Sequence, residues 1–162
     1  MSTEPDGPNQ PPLADERSEE IGEHLQHTLV ELIALSLAGK QLHWNIYGRE
    51  FLAVHRHLDD VVNEWEELED AVAERAVALG IPADGSAAAV LELGNLRPLE
   101  PGFIETGCAV QRLCEQLWEV ALRVRQRGEL LADLDSVSHD VVVDVCRKLE
   151  EQMWMMRSQL ND

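Results

Sequence analysis

Four stretches of apolar residues at helical spacing, separated by glycine and proline, confine this chain to an all-α fold. The first stretch runs from about Glu16 to about Trp44, with Leu25, Leu29, Leu32, Ser36 and Gly39 on its packing face, and stops near Asn45 to Gly48. The second runs from about Arg49 to Leu79 and is closed by Gly80 and Pro82. The third starts near Ile104 and ends at Gly128, and the fourth runs from Ser136 to about Leu160. One break is too long for a bundle turn. It spans Ile81 to Gly102, and within it the N-cap serine Ser86 and the apolar run to Leu93 predict a short helix.

Four long helices with one long crossover predict a ferritin-like four-helix bundle rather than an up-down-up-down one. At 162 residues and 44% hydrophobic, the chain suits a single domain with a real core, placed at residues 17–162. Residues 1–16 hold Pro5, Pro8, Pro11 and Pro12 with Glu4, Asp6, Asp15 and Glu16 and no basic residue, which predicts a flexible acidic tail. The formal charge of -18, with Lys40 and Lys148 the only lysines, disfavours non-specific nucleic-acid binding and favours metal cations. Cys108, Cys114 and Cys146 have no Cys-x-x-Cys spacing and read as small buried hydrophobes in a reducing compartment. With neither an export signal nor a membrane-length apolar run, the cytoplasm is expected.

The residues with the most chemistry are His43, His55, Asp59, Asp70 and Glu74. His55 and Asp59 are four apart, as are Asp70 and Glu74, so each pair can offer two ligands to one ion. With residue 55 at zero and about 100° per residue, positions 59, 70 and 74 fall near 40°, 60° and 100°, on one stripe. The apolar set Val54, Leu58, Val61, Trp65, Leu68, Val72 and Ala76 clusters near -90°, so the stripe points roughly 140° from the helix's own core. Eleven residues separate Asp59 from Asp70, roughly 16 Å of rise, while a transition metal sits about 2 Å from its ligands. One copy therefore cannot close the site. Two copies with antiparallel second helices would bring the upper pair of one to the lower pair of the other, with His43 completing each site.

A His and carboxylate shell suits Fe(II), Mn(II) or Zn(II), and open positions favour iron redox chemistry. Each residue alone reads as an ordinary polar surface position; five on one outward stripe reverse that reading. No histidine has Glu three residues before it, so the Glu-x-x-His repeat of di-iron sites held inside one bundle is absent. His24, His27 and His57 have no comparable set around them.

The run Lys40-Gln41-Leu42-His43-Trp44-Asn45-Ile46-Tyr47-Gly48, followed by Phe51-Leu52-Ala53-Val54-His55-x-x-Leu58-Asp59, closely resembles the signature of the Dps family, the dodecameric mini-ferritins. Asp70-x-x-x-Glu74-Arg75 and Leu149-Glu150-Glu151-Gln152-Met153-Trp154 extend the resemblance over about Leu25 to Leu160. It implies a homo-oligomeric shell of twelve bundles built from two-fold dimers. It also implies two-iron ferroxidase centres across the two-fold interfaces, Fe(II) oxidised preferentially by hydrogen peroxide, and ferric mineral stored inside. On this resemblance His43, His55 and Asp59 come from one subunit and Asp70 and Glu74 from the other. His55 serves the second, weaker iron, and Trp44 stands beside the site as an electron donor, although packing alone also explains an aromatic there.

In the family, acidic pores near the start of the fourth helix admit iron, and Asp133, Asp135, Asp140 and Asp144 fall in that region. Helix capping by Asp135 and favourable charge at a helix N-terminus for Asp140 explain those two equally well. DNA-condensing members commonly use Lys-rich tails, whereas this N-terminus is acidic, which argues against direct DNA binding. Arg123, Arg125 and Arg127 are the counter-argument, and complementing the helix dipole is their other reading. The expectation is thus a peroxide-consuming ferroxidase and iron store that protects DNA; the alternative is a nucleoid-associated DNA-compacting structural protein.

Overall fold

The computed structural model describes residues 16–160. The flexible tail expected at residues 1–16 falls, apart from Glu16, outside the described residues. Helix α1 spans Glu16–Asn45, α2 Phe51–Ala78, α3 Ala87–Leu93, α4 Thr106–Leu131 and α5 Ser136–Arg157. The fold is the expected all-α four-helix bundle, formed by α1, α2, α4 and α5, with α3 as the short helix in the crossover. Helix α1 packs mainly on α2 and α4 on α5, and contacts of α1 with α4 and of α2 with α5 close the bundle. No helix among the described residues is long and apolar enough to cross a membrane.

The core is made by the faces that the helical periodicity marks. Val54, Leu58, Val61, Trp65, Leu68, Val72 and Ala76 are all buried on α2, and Leu25, Leu29, Leu32 and Ser36 on α1. Where α1 crosses α2, Gly39 lets the helices close up, since a Cβ there would stand 2.6 Å from Val62 Cγ2 and 2.9 Å from Trp65 Cζ3. Trp65 is buried and donates its indole N–H to Gln152 Oε1 at 2.6 Å, while Gln152 Nε2 donates to Glu64 Oε2 at 2.7 Å. The polar edges of Trp65 and Gln152 inside the core are thereby satisfied.

Two features differ from the sequence expectation. Gly128 does not end α4, which continues to Leu131. Gly128 is buried, with space for a Cβ 3.7 Å from Val142 Cγ1, so it packs α4 against α5 rather than terminating it. The chain turns instead after Leu131, whose carbonyl accepts from the N–H groups of Leu134 and Asp135. Cys114 and Cys146 are buried as expected, but Cys108 is exposed, because it sits in the first turn of α4 on the solvent side.

Strand β1 (Ile46–Tyr47) pairs in parallel with β2 (Ile104–Glu105), Ile46 opposite Ile104. This bridge joins the end of α1 to the start of α4, so the crossover must return along the length of the bundle and α2 and α4 run parallel. His43 and His55, in the last turn of α1 and the second turn of α2, lie at this end of the bundle. At the opposite end, the last turns of α2 meet the start of α5.

Candidate metal centre

His43 lies in the last turn of α1 and His55 in the second turn of α2, and the short connection between these helices folds one ring onto the other. The rings stack with centroids 3.7 Å apart and an interplanar angle of 22°. Their Nδ1 atoms are engaged reciprocally: His43 Nδ1–H donates to the backbone oxygen of His55 at 3.0 Å, and His55 Nδ1–H to that of His43 at 3.1 Å. This network assigns the proton to Nδ1 in both rings and leaves each Nε2 lone pair available to a metal. Phe51 stacks on the other side of His55, with ring centroids 5.0 Å apart.

Asp59, one turn after His55, completes the cluster. Ligand atoms of His43, His55 and Asp59 all lie within 4.8 Å of one another, and they form the one such group of His, Cys, Asp and Glu among the described residues. His43 is 8% exposed, whereas His55 and Asp59 are half-buried, so the cluster opens to the surface along α2. Asp70 and Glu74 are not part of it. They are exposed three turns and more along the same helix, as the helical rise demands. Three ligands leave a transition metal short of its usual four or more.

Trp44 adjoins His43 in sequence and is 66% exposed on the rim, near the exposed apolar residues Tyr47, Phe51 and Leu52. An uncovered apolar surface of this kind beside an incomplete ligand set marks a face suited to a partner.

Sequence reasoning did not single out Lys40. Its ammonium donates to Asp59 Oδ1 at 2.7 Å, on the oxygen that lies 3.3 Å from His43 Nδ1. That hydrogen bond, with smaller electrostatic contributions from His43, Lys40 and His55, outweighs the desolvation of the carboxyl and holds Asp59 below its ordinary range. The available signal was the i, i+3 spacing of Lys40 and His43, which puts both on one face of α1. A cation binding at Asp59 must displace this ammonium. Lys40→Met is therefore expected to tighten Zn(II) or Co(II) binding a few-fold, read by isothermal titration calorimetry. Unchanged affinity would show that Asp59 Oδ1 is not a ligand atom.

The acidic residues near the start of α5 divide into two kinds. Asp133 and Asp140 are exposed, and Asp144 is exposed and paired with Arg147. Asp135 is engaged within the chain: it caps α5 through Ser138 N at 2.8 Å and accepts from Arg75 Nη2 at 2.7 Å. The three arginines of α4 are also engaged. Arg123 and Arg127 both bind the buried carboxylate of Glu31, and Arg125 pairs with Glu150.

The model of the Ferritin-like domain matches residues 22–162. The chain is 31% identical over 138 residues to DNA protection during starvation protein 2 of Deinococcus radiodurans, covering 85% of this chain but 57% of the relative. It is 30% identical over 139 residues to the DNA protection during starvation protein of Agrobacterium fabrum, covering 85% of this chain and 86% of that one. Among solved structures, Dps of Mycobacterium smegmatis superposes with a TM-score of 0.89 at 27% identity, covering all of this chain and 96% of its own. Dps of Microbacterium arborescens in the high iron form superposes with a TM-score of 0.86 at 27% identity, covering 92% and 98%. With fold, family model and relatives in agreement over nearly its whole described length, the chain belongs to the Dps family of ferritin-like proteins.

Proposed function

We propose that this chain oxidises Fe(II) and stores the ferric product, at sites that take His43, His55 and Asp59 from one subunit and Asp70 and Glu74 from its two-fold partner. The observation that carries this reading is the gathering of one imidazole and carboxylate half-site on a surface, with a second carboxylate pair exposed farther along the same helix. The names of the Deinococcus and Agrobacterium relatives and the high iron form of the Microbacterium protein support it. The full assembly in this reading is a dodecameric shell, with exposed Asp133, Asp140 and Asp144 near its iron entrances and the mineral inside.

Iron is the substrate. Two free Nε2 atoms orient it, and three carboxylates stabilise the ferric product more than the ferrous ion, because hard oxygen anions favour the higher charge. Hydrogen peroxide is the preferred oxidant. Two ferrous ions lose one electron each, the peroxide O–O bond takes both electrons, and with two protons the oxygen leaves as two waters. Holding both ions at one site denies peroxide the one-electron reaction that releases hydroxyl radical, and this protects DNA without contacting it. Trp44 on the rim is an electron donor for any radical that does form.

Stopped-flow Fe(II) oxidation with peroxide or with dioxygen, combined with radical trapping, tests this reading. The expected result is faster oxidation with peroxide, two Fe(II) consumed per peroxide, and little trapped radical. Oxidation no faster than in buffer would overturn it. The DNA-compacting alternative draws no support from Arg123, Arg125 and Arg127, since all three are paired with carboxylates of this chain. No shift of duplex DNA is expected in gels at low salt.

A further inference from the structure

We infer that Arg75, Asp135 and Ser138 form a clamp that positions the carboxylate half-site. This inference rests on reading Asp70 and Glu74 as ligands. Glu74 stands one turn before α2 ends at Ala78, and the apolar residues that anchor this segment are Val72, Ala76 and the C-cap Leu79. Apolar burial holds the segment on the core but is non-directional, so it does not by itself set the rotation at which the exposed Asp70 and Glu74 are presented. Arg75, next in sequence to Glu74, adds a directional constraint. Its Nε donates to Ser138 Oγ at 3.0 Å and its Nη2 to Asp135 Oδ2 at 2.7 Å.

The far end of the clamp is itself fixed. Asp135 Oδ2 also accepts from Ser138 N at 2.8 Å as the N-cap of α5, and Ser138 is fully buried. The side chains of Arg75 and Asp135 are only 15% and 12% exposed, so the ion pair is largely shielded from solvent. Burial of Asp135 works against its ionisation, but the hydrogen bonds from Ser138 and Arg75 prevail and keep it a carboxylate. A planar guanidinium that bonds two acceptors on another helix fixes direction as well as distance. Rotation of α2 that turned Asp70 and Glu74 from the partner would break both bonds. Arg75 and Asp135 touch no iron in this scheme; they are positioning residues.

Arg75→Gln, Asp135→Asn and the double variant should each raise the half-saturating Fe(II) concentration about tenfold, the usual cost of removing groups that orient ligands. The saturated rate should change little, and the double variant should be no worse than either single one, because they break one clamp. Ser138→Ala, which keeps the ion pair and removes one bond, should give a smaller rise and serves if the others fail to assemble. A core truncation on α4, which carries neither a ligand nor a clamp residue, Val124→Ala, gives a control for loss of stability: it should lower the thermal midpoint without raising half-saturation. The inference is overturned if half-saturation is unchanged in Arg75→Gln and Asp135→Asn, or if Val124→Ala raises it equally. Asp70→Ala/Glu74→Ala measured alongside keeps the two ideas apart, since wild-type oxidation by that variant would refute the ligand assignment itself.

Discussion

Mixing two inactive variants should restore iron oxidation. Asp70→Ala/Glu74→Ala removes the carboxylate half-site, and His43→Ala removes an imidazole from the other half; each homo-oligomer is expected to lose at least about a hundredfold in peroxide-dependent rate, since ligand atoms at a metal are lost. In a two-fold dimer of one subunit of each kind, one interface site combines both damaged halves. The other combines both intact halves. Random association makes about half of the dimers mixed, each with one working site of two, so about a quarter of the wild-type activity should return after dissociation and reassociation. Co-purification through two different tags isolates the mixed species, and stopped-flow oxidation measures it. A site built within a single chain would give no recovery at all. Folding should survive the first change, because Asp70 and Glu74 are exposed and make little contribution to the core; His43→Ala removes a buried ring stacked on His55, so its folding is checked by circular dichroism. Assembly is followed separately by light scattering.

The sequence made this experiment conceivable because helical geometry alone separates the two halves. Rise along one helix is the same whatever packs around it, so the distance from Asp59 to Asp70 was legible without a structure. The buried face of α2 was legible for the same reason, as Val54 through Ala76 recur at the helical period. The limit lay in contacts between elements distant in sequence. The pairing of Ile46 with Ile104 involves two residues from each strand, too few to leave a periodic signature. Gly128 carries the residue type that ends helices, yet its role is set by Val142 and Val143 on a different helix. Lys40 was visible beside His43, but its bond to Asp59 depends on how α1 crosses α2. Nor does local sequence separate Asp135 from Asp133: one is spent on Arg75 and Ser138, the other faces solvent.

The arginines of α4 show the same limit and lead to the largest expected effect on stability. Near the end of a helix they suggest a dipole partner or a phosphate contact, but the folded chain turns Arg123 and Arg127 onto Glu31. Each guanidinium takes one oxygen of that carboxylate, which is 1% exposed, and the pairing bolts α1 to α4. Removing Glu31 leaves two largely sequestered cations facing each other. Glu31→Ala should therefore cost about 3 kcal/mol, toward the low end for a broken buried pair because the guanidiniums keep some solvent. At this domain size that corresponds to a fall of roughly 6–12 °C in the thermal midpoint, read by calorimetry on assembled protein at fixed concentration. Replacing all three residues together, Glu31→Leu with Arg123→Leu and Arg127→Met, should recover most of the loss, since an ion cluster and an apolar cluster of like volume differ little in stability. Neither variant touches the iron ligands, so oxidation per assembled subunit should stay at the wild-type rate. If the triple variant were as unstable as Glu31→Ala, the cluster would be contributing its charge and not only its shape.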